Sequence, residues 1–174
     1  LARSNSLASR VEAERREALD RLGSGIETRD SQFRRQLDEI EKVAGVSRSP
    51  MLILGPTGAG KSRLARRVHE LKRRRHLLGG ELVEVNCATL RGDTAMSTLF
   101  GHRKGAFTGA LADREGILKT ADGGLLFLDE FPELNRAALG VLRQPLEDGQ
   151  VHIRRANYSV TYASRFILVV AMNH

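Results

Sequence analysis

The stretch Met51-Leu-Ile-Leu-Gly-Pro-Thr-Gly-Ala-Gly-Lys-Ser62 decides the fold of this chain. Its first four residues predict a short apolar strand, and residues 55–62 fit the pattern G-x-x-x-x-G-K-[ST] of a phosphate-binding loop. A glycine turn joining a strand to a helix would share part of this pattern. The strand before the loop and the helix that begins near Lys61 favour a nucleotide site instead.

Four positions of this loop have a predicted chemical role in binding a nucleotide. Gly58 and Gly60 let the backbone curl so that successive N–H groups point at phosphate oxygens. Lys61 reaches the β- and γ-phosphates, and the hydroxyl of Ser62 is a ligand for Mg²⁺. The predicted ATP site comprises Gly55, Pro56, Thr57, Gly58, Ala59, Gly60, Lys61 and Ser62.

Length and composition indicate one domain with a single core, because the chain has 174 residues of which 41% are hydrophobic. The sequence contains no stretch of about 18 apolar residues and does not open with a signal segment, so we expect a soluble, cytoplasmic chain without membrane contact. The single cysteine, Cys87, cannot form an internal disulfide, and we interpret it as a small buried residue.

The formal net charge of +7 permits contact with nucleic acid, but the cations cluster on the helix after the loop. On that helix Leu64, Ala65, Val68 and Leu71 form an apolar face. We therefore interpret the cations as a solvated outer face, comprising Arg63, Arg66, Arg67 and residues 72–75.

The chain divides into two parts, a linker or exposed helix over residues 1–22 and one domain over residues 23–174. Asp30 or Ser31 is placed to cap a helix whose apolar residues extend to Ala44. Because the chain begins with Leu1 and stops after an apolar strand, we expect it to be a fragment of a longer protein.

Two further segments precede the second half of the predicted site. After a helix that Gly79 and Gly80 end, residues 82–85 predict a strand, and Asn86 at its exit should face the site, as polar residues do in open α/β sheets. Residues 99–110 lack periodicity and contain three glycines, which favours a mobile functional loop with Phe107 at its tip. The alternative is that Phe107 packs into the core.

The acidic half of the site follows a buried strand. Residues 125–128 are apolar and end at Asp129 and Glu130. This pattern predicts that Asp129 holds Mg²⁺ through its water shell and that Glu130 orients or deprotonates the attacking water. An ordinary helix cap is the alternative. A helix over residues 134–147 should follow, kinked or ended early by Pro145.

The last elements are a hairpin and a buried strand. Residues 151–162 alternate, so that Val151 and Ile153 should oppose Val160 and Tyr162 across a polar turn at residues 156–157. Residues 166–172 predict a strand whose exit presents Asn173. Its amide is suited to bind the γ-phosphate or the lytic water, although a turn residue is the alternative.

This order of elements resembles the core of an AAA+ ATPase, a P-loop NTPase with a three-layer α/β/α arrangement around a parallel sheet. Residues 23–129 resemble the central domain of bacterial enhancer-binding proteins, which activate sigma-54 RNA polymerase. The likeness is carried by residues 85–93, by Phe100-Gly-His102 and by the loop of Gly105, Ala106, Phe107, Thr108, Gly109 and Ala110.

That resemblance implies roles that the residues alone do not show. Phe107 and Thr108 would contact the sigma-54 RNA polymerase holoenzyme, Asn86 would restrain Glu130 until the γ-phosphate is sensed, and Asn173 would be the sensor. The resemblance also implies the sheet order 5-1-4-3-2, of which this chain would end before the fifth strand and the helical lid. It further implies a homo-oligomeric ring, a hexamer, and DNA contact through a domain absent here. The chain alone should then bind Mg-ATP weakly and hydrolyse it barely above background.

Residues from about 130 to 174 are more similar to magnesium-chelatase-like ATPases of the ComM type, especially around Pro145. This second resemblance leaves two alternatives to a sigma-54 activator. One is a chelatase-like or DNA-processing motor, and the other is a catalytically weak nucleotide-binding fragment or a junction of two ATPase families.

Overall fold

A computed structural model of the chain describes residues 26, 28–90, 93–106, 110–155 and 158–173. Within these residues, helices alternate with strands around a parallel sheet. The helices are α1 (Ser31–Ala44), α2 (Lys61–Arg74), α3 (Asp93–Phe100), α4 (Ile117–Thr120) and α5 (Arg136–Asp148). The strands are β1 (Met51–Leu54), β2 (Leu82–Asn86), β3 (Gly101–His102), β4 (Arg114–Glu115), β5 (Leu125–Asp129), β6 (Gln150–Arg155), β7 (Tyr158–Ala163) and β8 (Ile167–Met172).

The central sheet has the order β1-β8-β5-β2, and every neighbouring pair is parallel. This order agrees with the expected arrangement for the four strands that carry the phosphate loop, Asn173, Asp129 and Asn86. Because the carboxyl ends of parallel strands lie at one edge of a sheet, the predicted site residues meet there.

Helices cover both faces of this sheet, as the three-layer prediction requires. On β5, Leu126 and Leu128 pack in one apolar cluster with residues of α3, α4 and α5. Leu125 and Phe127 of the same strand pack in a second cluster with residues of α1 and α2. The apolar run on β5 is therefore continuous because both of its faces are buried.

The helix before the phosphate loop is confirmed with its cap. Asp30 Oδ1 accepts hydrogen bonds from the backbone N–H groups of Gln32 at 2.8 Å and Phe33 at 3.3 Å. Leu37 and Ala44 of α1 are buried. The predicted linker over residues 1–22 lies outside the described residues.

The end of α2 differs from the prediction. The helix ends at Arg74, and His76 has a φ of 56°, so the turn is made before Gly79 and Gly80. The sequence suggested a glycine C-cap, but Gly80 has another function. A Cβ atom on Gly80 would lie 2.5 Å from the backbone nitrogen of Gly124, so the glycine permits close approach of two backbones.

The outer-face interpretation of the cations is wrong for Lys72. Arg63, Arg66 and residues 73–75 are exposed and Arg67 is half-buried, whereas Lys72 is 1% exposed. Its Nζ donates hydrogen bonds to the carbonyl oxygens of Ala44 at 2.7 Å and Ser47 at 2.5 Å. The C-terminal carbonyls of α1 have no partner within the helix, so Lys72 supplies one.

The helix with the internal proline begins two residues later than predicted and does not end early at Pro145. Asn135 caps it by accepting a hydrogen bond from Ala138 N–H at 2.8 Å, and α5 continues through Pro145 to Asp148. Pro145 lies in the last turn, where it removes a single backbone bond, and its ring is buried. The helix ends at Gly149, which has a φ of 65°.

The hairpin has the predicted register, since Val151 pairs with Tyr162 and Ile153 with Val160. Its turn at residues 156–157 lies outside the described residues.

The predicted loop at residues 99–110 begins later than expected. Helix α3 continues to Phe100, and β3 pairs with β4, so the segment starts from a two-residue antiparallel stem.

Candidate functional site

The phosphate loop joins β1 to α2, and its glycines have the conformation that the sequence predicts. Gly58 and Gly60 have φ values of 80° and 84°, a region that residues with a Cβ rarely adopt. The carbonyl of Gly60 accepts the N–H of Leu64 at 3.0 Å, which starts α2 immediately after the loop. The positive end of this helix is therefore directed at the loop.

Lys61 is held at the centre of the site by three hydrogen bonds. Its Nζ donates to the carbonyl oxygens of Gly55 at 2.8 Å and Pro56 at 3.0 Å. It also donates to Oδ1 of Asn173 at 2.8 Å, across 112 positions of sequence. Lys61 therefore links the phosphate loop to the exit of β8.

The two predicted acids lie at the exit of β5, between β8 and β2 in the sheet. Asp129 Oδ1 accepts a hydrogen bond of 2.9 Å from the backbone N–H of Glu130. Glu130 has a φ of 51°, in the left-handed region. A glutamate in this region is uncommon, and strained residues of this kind concentrate at functional sites.

These residues line one cavity of about 230 Å³. It brings together the phosphate loop, both acids and the amide at the exit of β8. The lining residues are Thr57, Gly58, Gly60, Lys61, Ser62, Asp129, Glu130 and Asn173. Eight predicted site residues thus meet in one place, while Gly55 and Pro56 contribute the carbonyls that hold Lys61.

Asn86 lies next to the acids but does not line this cavity. It pairs with Asp129 in the register of β2 and β5. Its Oδ1 accepts a hydrogen bond from Ala88 N–H at 2.8 Å, which caps the short 3-10 helix Cys87–Thr89. The role of Asn86 as a restraint on Glu130 stays a prediction.

Cys87 is fully buried, as predicted. Burial and, to a smaller extent, the negative charges of Asp129 and Glu130 together raise the pKa of its thiol to about 11. The cysteine is therefore neutral at pH 7, and it packs in the same apolar cluster as Leu126 and Leu128 of β5.

The predicted partner loop is only partly within the described residues. Phe107, Thr108 and Gly109 lie outside them. Gly105 has a φ of 79°, and its N–H donates to the carbonyl of Ala110 at 2.8 Å. This bond closes the base of the loop, and Ala110 is buried there.

Two side chains at this base were not singled out by the sequence. Asp113 Oδ1 accepts a hydrogen bond from the backbone N–H of Lys104 at 2.6 Å. Ser97 Oγ lies 2.6 Å from Nδ1 of His102, which joins α3 to the stem. The available signal was an aspartate three positions after a glycine-rich loop, where such residues often bind backbone N–H groups.

No helix in the part of the chain that the structure describes has both the length and the apolar character of a membrane span.

Comparison with known proteins gives one family across the chain. The model of the family described as "Sigma-54 interaction domain" matches residues 26–174. The transcriptional regulatory protein RtcR of Escherichia coli (strain K12) is 60% identical over 148 residues, which cover 85% of this chain and 28% of that protein. The nitric oxide reductase transcription regulator NorR2 of Cupriavidus necator is 47% identical over 115 residues, or 66% of this chain and 21% of that protein.

Solved structures of NtrX from Brucella abortus share the fold. One has a TM-score of 0.70 and 25% sequence identity, and the match covers 99% of this chain and 36% of that chain. A structure of NtrX in complex with ATP has a TM-score of 0.67 and 25% sequence identity, and the match covers 99% of this chain and 37% of that chain.

The chain thus spans less than a third of RtcR. The family match extends on both sides of residue 130, where the sequence suggested a change of resemblance. The comparisons therefore favour one family and not a junction of two. With an AAA+ P-loop NTPase fold, the chain belongs to the Sigma-54 interaction domain family.

Proposed function

We propose that this chain is the ATP-binding and ATP-hydrolysing domain of a sigma-54-dependent transcription regulator. The observation that carries the proposal is the cavity in which Lys61, Asp129, Glu130 and Asn173 meet. A lysine for the phosphates, a carboxylate for the metal and a second carboxylate for water are the parts that phosphoryl transfer requires.

The oxygen donors in the cavity fit Mg²⁺. Ser62 offers a hydroxyl and Asp129 a carboxylate to the same cavity. Magnesium prefers oxygen ligands and is commonly bound by one or two protein groups together with substrate phosphates and water. When bound, the ion would neutralise charge on the phosphates. We propose Ser62 and Asp129 as the residues that hold it.

The remaining groups act on water and on the terminal phosphate. Glu130 lines the cavity and is suited to orient or deprotonate the attacking water. Asn173 is suited to contact the γ-phosphate. Asn86 uses its Oδ1 to accept the N–H of Ala88, so its amide N–H groups are the donors that would restrain the Glu130 carboxylate.

The loop of residues 105–110 is the proposed contact with the sigma-54 RNA polymerase holoenzyme. Its base is fixed by Gly105, Ala110 and Asp113, and these residues do not line the nucleotide cavity. A loop with a fixed base and glycines beside its tip is suited to partner contact. We further propose a ring, as a hexamer, acting in the cytoplasm, with DNA contact made by another domain.

The test is capture of purified sigma-54 by the chain. With ADP and aluminium fluoride, which imitates the γ-phosphate in transfer, we expect sigma-54 to be retained. With ADP alone it should be lost. Capture that is absent in both conditions, or equal in both, would contradict a nucleotide-controlled sigma-54 contact.

A further inference from the structure

The ammonium group of Lys61 has a full set of partners inside the protein. A lysine Nζ carries three N–H donors. Three acceptors lie within hydrogen-bond distance, namely the carbonyls of Gly55 and Pro56 and Oδ1 of Asn173, at 2.8, 3.0 and 2.8 Å. A phosphate oxygen that bonds Lys61 must therefore replace one of these acceptors.

Of the three acceptors, Oδ1 of Asn173 is the one that can move away from the Lys61 ammonium group. Gly55 and Pro56 offer backbone carbonyls of the phosphate loop itself, and moving them would change the loop. Asn173 contributes a side chain that follows β8 and is exposed. Rotation of this side chain releases Lys61 without a change in the backbone.

We propose that Asn173 is a positioning residue that holds Lys61 and competes with nucleotide phosphates for it. This inference rests on the proposed function, because it concerns regulation of the same site. Binding of a phosphate to Lys61 breaks the bond to Asn173 and frees the amide at the exit of β8. The bond between Lys61 and Asn173 thus opposes binding of any nucleotide that reaches Lys61, with or without a γ-phosphate.

This last consequence separates the inference from a role in sensing the γ-phosphate. A residue that only senses the γ-phosphate makes no contact with ADP, because ADP has no γ-phosphate. Removing the side chain of such a residue therefore leaves the affinity for ADP unchanged. Removal of a competitor for Lys61 makes ADP bind more tightly. A hydrogen bond to a charged group is strong enough for an increase on the order of tenfold in affinity.

The experiment is calorimetric titration of ADP with magnesium into the full chain and its variants. Asn173→Ala should bind ADP about tenfold more tightly than the wild type. Asn173→Leu keeps the bulk of the side chain without its acceptor and should show the same direction. Gln32→Ala, which removes an exposed amide on α1, is the control and should leave ADP affinity unchanged.

Thermal unfolding of each variant identifies any that fail to fold. If one Asn173 variant does not fold, the ADP affinity of the other Asn173 variant tests the inference. Unchanged or weaker ADP binding by a folded Asn173 variant would overturn the inference while leaving the ATP site intact. A wild-type chain that binds neither ADP nor ATP would overturn the proposed function together with it.

Discussion

The backbone N–H of Glu130 donates a 2.9 Å hydrogen bond to Oδ1 of Asp129, and Glu130 itself has a φ of 51°. The first acid thus helps to hold the second in a left-handed conformation. Such a conformation costs a residue with a Cβ on the order of 1 kcal/mol. The strained backbone lies at the position that the proposed mechanism assigns to the water-activating carboxylate.

Replacing Glu130 by glycine should therefore stabilise the chain relative to replacement by glutamine. Both changes remove the carboxylate, but only glycine adopts the left-handed region without strain. We expect the free energy of unfolding of Glu130→Gly to exceed that of Glu130→Gln by about 0.5–1 kcal/mol. Urea unfolding of the two variants measures the difference. A glycine variant less stable than the glutamine variant would show that this backbone is not strained.

Glu130→Gln should retain ATP and fail to hydrolyse it. The amide keeps the size of the side chain but cannot accept the proton of the attacking water. Radiolabelled ATP, followed under single-turnover conditions over a series of protein concentrations, measures hydrolysis, and filter binding measures retention. Loss of ATP binding by this variant would place Glu130 in a structural role instead.

Thr108→Ala should abolish sigma-54 capture while ATP binding stays near that of the wild type. Thr108 belongs to the proposed contact loop, whose described base does not line the nucleotide cavity. The measurement pairs the sigma-54 capture experiment with an ATP titration on the same preparation. Intact capture combined with lost ATP binding would reverse the assignment of this loop.

Lys72→Met should destabilise the chain by about 1–3 kcal/mol. The change leaves the carbonyl oxygens of Ala44 and Ser47 without their ammonium partner. Arg73→Met is the matched control, because Arg73 is the exposed neighbour on the same helix. Its effect should stay within about 0.5 kcal/mol. Equal effects in both variants, measured by urea unfolding, would show that the buried bonds of Lys72 contribute no more than an exposed cation.

Local patterns in the sequence were sufficient for the strands of the sheet and for most of the cavity, whereas the order of the strands was implied only by the resemblance to AAA+ ATPases. The phosphate loop and the apolar run before Asp129 each predict a strand and its exit, and parallel pairing brings those exits together. The alternation of the hairpin predicts its register because side chains on a strand have a period of two.

Long-range partners could not be predicted in the same way. Lys72 looks like one more cation of a basic helix until the carbonyls of Ala44 and Ser47 are placed beside it. Gly80 looks like a helix cap until Gly124 approaches it. The bond between Lys61 and Asn173 depends on the pairing of β1 with β8, which brings the two residues together across the sequence.

The most direct test of the proposed ATP site is calorimetric titration of Mg-ATP into the wild type and Lys61→Ala. Lys61 is the cation that meets the β- and γ-phosphates, so its loss should weaken binding by on the order of 100-fold or more. Arg63→Ala, which removes an exposed cation two residues along the same helix, should bind as the wild type does. Saturable binding by the wild type and by Arg63→Ala, with none detected for Lys61→Ala, is the result that we predict. Equal affinity of the wild type and Lys61→Ala would contradict the assignment of this cavity as the ATP site.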